Sequence, residues 1–166
     1  MSVYDVGKLM QQARKLAADY RAATGKPLGI SNEIAVHDVI RLMQLRAAPL
    51  GDGGCDAIGT GPYEGKLIQI KGRTINPDSS SNQRIGQIKV DQEWDVIMLI
   101  LMNEQYEPLE IYEADRDTIL NAVEQTSAKR RNRGALSVNR FKKIGQRVWV
   151  SEHQTETLRA DESAGW

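Results

Sequence analysis

One cysteine, Cys55, stands among 166 residues, so no internal disulfide can form. With only two histidines beside it, a structural zinc site of Cys and His alone is excluded, since such sites take four ligands. Charge of one sign is also missing. Lys plus Arg and Asp plus Glu are equal at 22 each, so net charge does not mark a general polyanion binder, and a nucleic-acid surface would have to be a local patch. No apolar run approaches the ~20 residues of a membrane span. The N-terminal stretch MSVYDVGKLMQQARK is amphipathic and lacks the apolar core of a secretory signal. The expectation is a cytoplasmic protein without membrane association. Internal repeats are absent, and the length suits one domain with a core of its own.

What is present is patterning. Val6, Leu9, Met10, Ala13, Leu16, Ala17 and Tyr20 recur at helical spacing over residues 3–24, and Gly25, Lys26 and Pro27 stop the run. A second helix is expected from Ser31 as N-cap, with Glu33 in its first turn and a stripe of Val36, Val39, Ile40, Met43 and Leu45, ending near Ala48 and Pro49. CDAIGT and KLIQIKG read as strands joined by the turn GPYEG. After the polar loop TINPDSSSNQR comes WDVIMLILM, too short for a membrane and suited to a central strand buried on both faces. EPLEIYEAD reads as a strand and residues 116–128 as a helix with Ile119, Leu120 and Val123 inward. KRRNRG is a basic loop, and ALSVNRFKKIGQRVWV a closing helix or strand. The expected architecture is α/β: a small central mixed β-sheet flanked by helices, one domain over residues 1–150, and a polar C-terminal tail over 151–166.

The stretch GDGGCDAIGTGPYEGKLIQIKGR, residues 51–73, carries the chemistry. Strand side chains alternate faces. Leu67, Gln69 and Lys71 therefore share one face, and Ile68 and Ile70 the other. Burying Gln69 and Lys71 unpaired would cost roughly 1–3 kcal/mol each, so they need partners or a cleft. Asp56 opens the preceding strand of the hairpin and is placed to approach both. Carboxylate and amide oxygens suit Mg²⁺ (Mn²⁺ as a substitute), a hard cation that keeps waters and binds phosphate. A lysine beside it can orient the attacking water and stabilise developing charge. Glu33 could add a second carboxylate. The nearby GTGPYEGKL is not a phosphate loop: the first glycine position is Thr60, and Leu67 follows Lys66 where Ser or Thr is required.

Gly54-Cys55-Asp56 followed, after a turn, by Gln69-Ile70-Lys71 resembles the PD-(D/E)xK nuclease superfamily, and within it the Mrr-like restriction endonucleases, in a Gln-x-Lys variant of the motif. The resemblance spans roughly residues 28–113 and the helix after them. It implies a restriction-endonuclease-like core and a metal-dependent DNA endonuclease acting in restriction or defence. Asp56, Gln69, the Ile70 carbonyl and Glu33 would be metal ligands, and Asp56, Gln69, Lys71 and Glu33 the catalytic set. Two departures stand out. Cys55 occupies the place of the proline, and Gln69 replaces an acid, which removes a negative charge. A chain of this size, without a separate recognition domain, would need a homodimer or a partner subunit to cut two strands.

The phosphate backbone would be met by cations. Lys129, Arg130, Arg131 and Arg133, followed by Arg140, Lys142, Lys143 and Arg147, form the one strong basic cluster, and Arg73 and Arg84 flank the candidate strand. Interleaved aromatics for single-strand stacking are lacking. The rival expectation is a nuclease-fold module, weakened by Gln69, that binds nucleic acid or a partner protein without cutting.

Overall fold

The computed structural model describes residues 2–49, 53–76, 83–125 and 136–152. Helix α1 (Val3–Thr24) begins with a reciprocal cap. The Ser2 hydroxyl oxygen accepts the Asp5 N–H, and the Asp5 carboxylate accepts the Ser2 N–H. Helix α2 (Ser31–Leu42) departs from expectation at both ends. Ile30 holds the cap position with no side-chain bond, so Ser31 is the first helical residue and not the cap. The helix stops at Leu42, short of Ala48, because Gln44 turns left-handed at φ 54° and Arg46–Ala47 leave as strand β1.

Six strands make one mixed sheet in the order β1-β2-β3-β4-β5-β6. After β1 come β2 (Ala57–Ile58), a 3₁₀ turn (Gly61–Tyr63) and β3 (Leu67–Thr74). Then follow β4 (Val96–Met102), β5 (Pro108–Asp115), α3 (Arg116–Glu124), α4 (Val138–Ile144) and β6 (Gln146–Val150). Among the described residues only β3 and β4 run parallel; the other pairings are antiparallel. The WDVIMLILM run is β4, buried along its whole length as expected. The closing segment is both of the expected alternatives, a helix and then a strand. The basic run 129–133, most of the loop TINPDSSSNQR, residues 126–128 and the tail beyond 152 lie outside the described residues.

Both faces of the sheet are covered, giving three layers. On one face, Ile68, Ile70, Met98, Ile100 and Met102 pack with Ala17 of α1 and with Ile34, Ala35 and Val39 of α2. On the other, Ile97, Leu99 and Leu101 pack with Ile119 and Ala122 of α3, Val138 and Phe141 of α4, and Ile85, Ile88 and Trp94 from the β3–β4 connection. Helix α2 lies so close on β3 that a Cβ on Gly72 would come within 2.4 Å of the Ala35 Cβ. Glycine is required there by space.

The two N-terminal helices are tied by a buried ion pair. Arg14 Nη2 donates to Asp38 Oδ1 at 2.6 Å, and Arg14 Nε donates to the Tyr106 carbonyl at 3.0 Å. The Asp38 side chain is 1 % exposed. A charge that deep is tolerated only with its partner. Asp38→Ala should therefore lower unfolding stability by about 3–5 kcal/mol, as read from denaturant midpoints. Adding Arg14→Met should return part of the loss, since it removes the orphaned guanidinium.

Candidate active site

β2 is only two residues long, and this shapes the site. Ala57 pairs with Ile68 and Ile58 with Leu67, so the register carried one step further sets Asp56 opposite Gln69. There the β2 ladder ends. The N–H of Ile70, left without a strand carbonyl, donates instead to Asp56 Oδ2 at 2.8 Å. The Asp56 N–H in turn donates to the Ile68 carbonyl at 2.8 Å. A carboxylate thus replaces a missing backbone acceptor, and this fixes Asp56 against the middle of β3. For Ile70 the structure records this N–H contact.

Gln69 is buried at 6 % exposure. Its Nε2 donates to the Gly54 carbonyl at 3.2 Å, while its Oε1 is buried with no hydrogen-bond partner among the described residues. Gly54 makes this cover possible. It sits at φ +100°, and a Cβ there would meet the Gln92 Cβ at 2.8 Å and the Glu93 backbone at 3.1 Å. The turn before Asp56 and the loop before β4 therefore close over Gln69 from two sides. An orphaned amide oxygen in that position is costly, and it lies on the same face as Asp56 and Lys71.

Lys71 is half-buried, and its Nζ donates to the Gln87 carbonyl at 3.0 Å. Burial pushes its pKa below the ordinary lysine value; the Asp56 carboxylate pulls it back up, and Arg73 and Lys89 add to the depression. One acid and two further cations thus act on the Lys71 ammonium. Partners or a cleft were expected for Gln69 and Lys71; both have carbonyl partners, and the segment 83–94 lies across much of the face and contributes Ile85, Ile88 and Trp94 to the core beneath.

That segment is held by a residue the sequence reading passed over. Arg116, at the start of α3, donates to the carbonyls of Val90 (2.6 Å), Trp94 (2.9 Å) and Gln92 (3.0 Å). Its guanidinium lies 4.6 Å from the Trp94 ring centroid. Trp94 Nε1 donates to the Lys89 carbonyl at 3.0 Å. Gln87 and Lys89 owe their places beside Lys71 to this clamp. A lone Arg after a strand gives no sequence signal for it.

The remaining site expectations divide. Glu33 is exposed in the first turn of α2, on the layer that packs against the opposite face of the sheet. Among the described residues no hydrogen bond or ion pair ties it to Asp56, Gln69 or Lys71, and no three His, Cys, Asp or Glu side chains converge. Arg73 is turned inward: its Nε donates to the Arg84 carbonyl and its Nη1 to the Gly72 carbonyl, both at 2.6 Å, and burial lowers its pKa. Its guanidinium binds backbone where a contact to phosphate was expected. Arg84 is exposed and forms a bridge with Ser137. Lys129, Arg130, Arg131 and Arg133 lie outside the described residues; Leu136, described again after them, accepts the Ile85 N–H at 3.0 Å. Of the later cations, Arg140 bonds Gln125, while Lys142 and Arg147 reach Glu110 at 3.9 and 3.2 Å. Lys89, exposed beside Lys71, is the cation the sequence reading missed.

The depressed Lys71 pKa makes stability rise with pH. At neutral pH the fold carries a penalty for the charged ammonium. The penalty disappears as pH rises through the lysine's folded pKa toward its ordinary value of 10.5. Relative to wild type, Lys71→Met should thus be at its best near pH 7 and lose ground steadily toward pH 10 in thermal melts.

Compared with known proteins, the chain is matched by no family model and by no curated protein.

Proposed function

We propose that the Asp56–Gln69–Lys71 edge of β3 is the centre of a divalent-cation-dependent DNA endonuclease with a restriction-endonuclease-like core. The observation that carries this reading is the buried, partnerless Gln69 Oε1 beside a carboxylate, on the strand face that also presents a desolvated lysine. Oxygen donors of this kind fit Mg²⁺ or Mn²⁺, so Asp56 and Gln69 are the residues that would hold the ion. Such an ion supplies activation of water and neutralisation of phosphate charge. No further ligand is assigned to Glu33, which stands on the other layer of the fold.

The chain's own groups do the rest. Asp56 is pinned by the Ile70 N–H, so its carboxylate is oriented before any substrate arrives. Lys71, raised in energy by burial and held by a single carbonyl acceptor, gains by exchanging that acceptor for a phosphate oxygen. Lys89 and Arg84, both exposed nearby, extend the positive field along which a DNA backbone would lie.

A second reading rests on Gln69 itself. A neutral amide in place of an acid weakens cation binding, and the same edge would then bind DNA without cutting it.

Purified protein incubated with supercoiled plasmid and Mg²⁺ or Mn²⁺ separates the two. Nicked or linear product, abolished by EDTA and reduced at least about 100-fold in Lys71→Ala and Asp56→Asn, is the expected outcome. A retarded plasmid that stays supercoiled would establish the binding module. Equal cleavage by wild type and Lys71→Ala would remove Lys71 from the site.

A further inference from the structure

Helix α1 carries two apolar stripes, and the body of the protein uses one. Ala17 is fully buried and Met10 and Ala18 pack on the core, with Arg14 bonded to Asp38 beside them. Val6, Leu9, Leu16 and Tyr20 point elsewhere and are 41, 49, 59 and 39 % exposed. They are four of the five exposed large hydrophobic residues among those described; the fifth is Val90. With Ala13 and Ala23 they occupy positions 6, 9, 13, 16, 20 and 23, spaced 3-4-3-4-3. That is the a/d seam of three heptads on a helix of 22 residues, about 33 Å long. A helix that merely covers a core has no need of a second, regular seam facing water.

We propose that this seam is a homodimer interface in which α1 of a second copy lies antiparallel against it. The pattern is self-complementary in that orientation. Sliding one helix so that Ala13 faces Leu16 of its mate also sets Leu9 against Tyr20 and Val6 against Ala23, each pairing a large residue with one that differs in size or shape.

The area is adequate. The four side chains leave open on the order of 300 Å² per copy, a patch of the size that marks interaction sites. Two such patches and their flanks reach about 1,000 Å², the low end of specific interfaces. A contact of that size belongs with the weak, reversible associations. The inference stands on α1 alone and is independent of the nuclease reading.

Sedimentation velocity of the full chain over a range of micromolar concentrations tests it. Wild type should shift from monomer to dimer, and Leu9→Glu/Leu16→Glu should remain monomeric with an unchanged far-ultraviolet circular dichroism spectrum, since both sites are exposed and Glu is a good helix former. In a Cys55→Ser background, mild oxidation of Leu9→Cys/Tyr20→Cys should give a covalent dimer and Leu9→Cys alone should not. A wild-type chain that stays monomeric at several hundred micromolar overturns the proposal, as does a dimer that survives the two glutamates. Cross-linking through Leu9→Cys alone overturns the antiparallel arrangement.

Discussion

The structure around β3 depends on one hydrogen bond, from the Ile70 N–H to the Asp56 carboxylate. A strand that loses its neighbour after two pairs must satisfy its next donor in some other way, because a buried unpaired N–H costs free energy comparable to a lost bond. Here the solution is a charged side chain. The bond does two things at once. It closes the sheet where β2 stops, and it fixes an acid at the centre of a covered sheet face. The turn carrying Gly54 is joined to Gln69 by the side-chain amide, whose Nε2 donates to the Gly54 carbonyl.

The opposite wall is built from the connection between β3 and β4. Two parallel neighbours need a long crossover, and here the described part of it contains no regular helix. Arg116 replaces that rigidity with three carbonyl contacts and an aromatic face. The result is a polar loop fixed tightly enough to present Gln87 to Lys71 and to hold Lys89 nearby. Lys71 consequently stands between a carboxylate that favours its charge and burial and cations that oppose it. A lysine balanced in this way responds strongly to an arriving anion, which links the packing of the loop to the chemistry proposed for the edge.

The ion pair of Arg14 with Asp38 plays the corresponding part on the other layer. It ties α1 to α2 through one face of α1 and so decides which face of that helix is left over. The seam of Val6, Leu9, Leu16 and Tyr20 is exposed because the pair, with Met10 and Ala17, turns the helix that way.

Read from the amino acids alone, periodicity set α1, β4 and β5, because period and length there leave little choice, whereas the closing segment stayed open between helix and strand until the fold divided it into α4 and β6. The same alternation placed Gln69 and Lys71 on one face and Asp56 within reach, since a hairpin joins them. Other features were decided by backbone states and contacts that apolar spacing does not report. Helix α2 ends early because of a left-handed Gln44, a local backbone state that apolar spacing does not report. Arg73 turned inward because the carbonyls of Gly72 and Arg84 were there to receive it. The face is overlain by the 83–94 segment, which Arg116 holds through three of its carbonyls. Seven apolar positions on α1 looked like one helical pattern in sequence. Only the folded structure divided them into a stripe that packs and a stripe that does not, because a helix's own period cannot say which of its faces the rest of the chain will occupy.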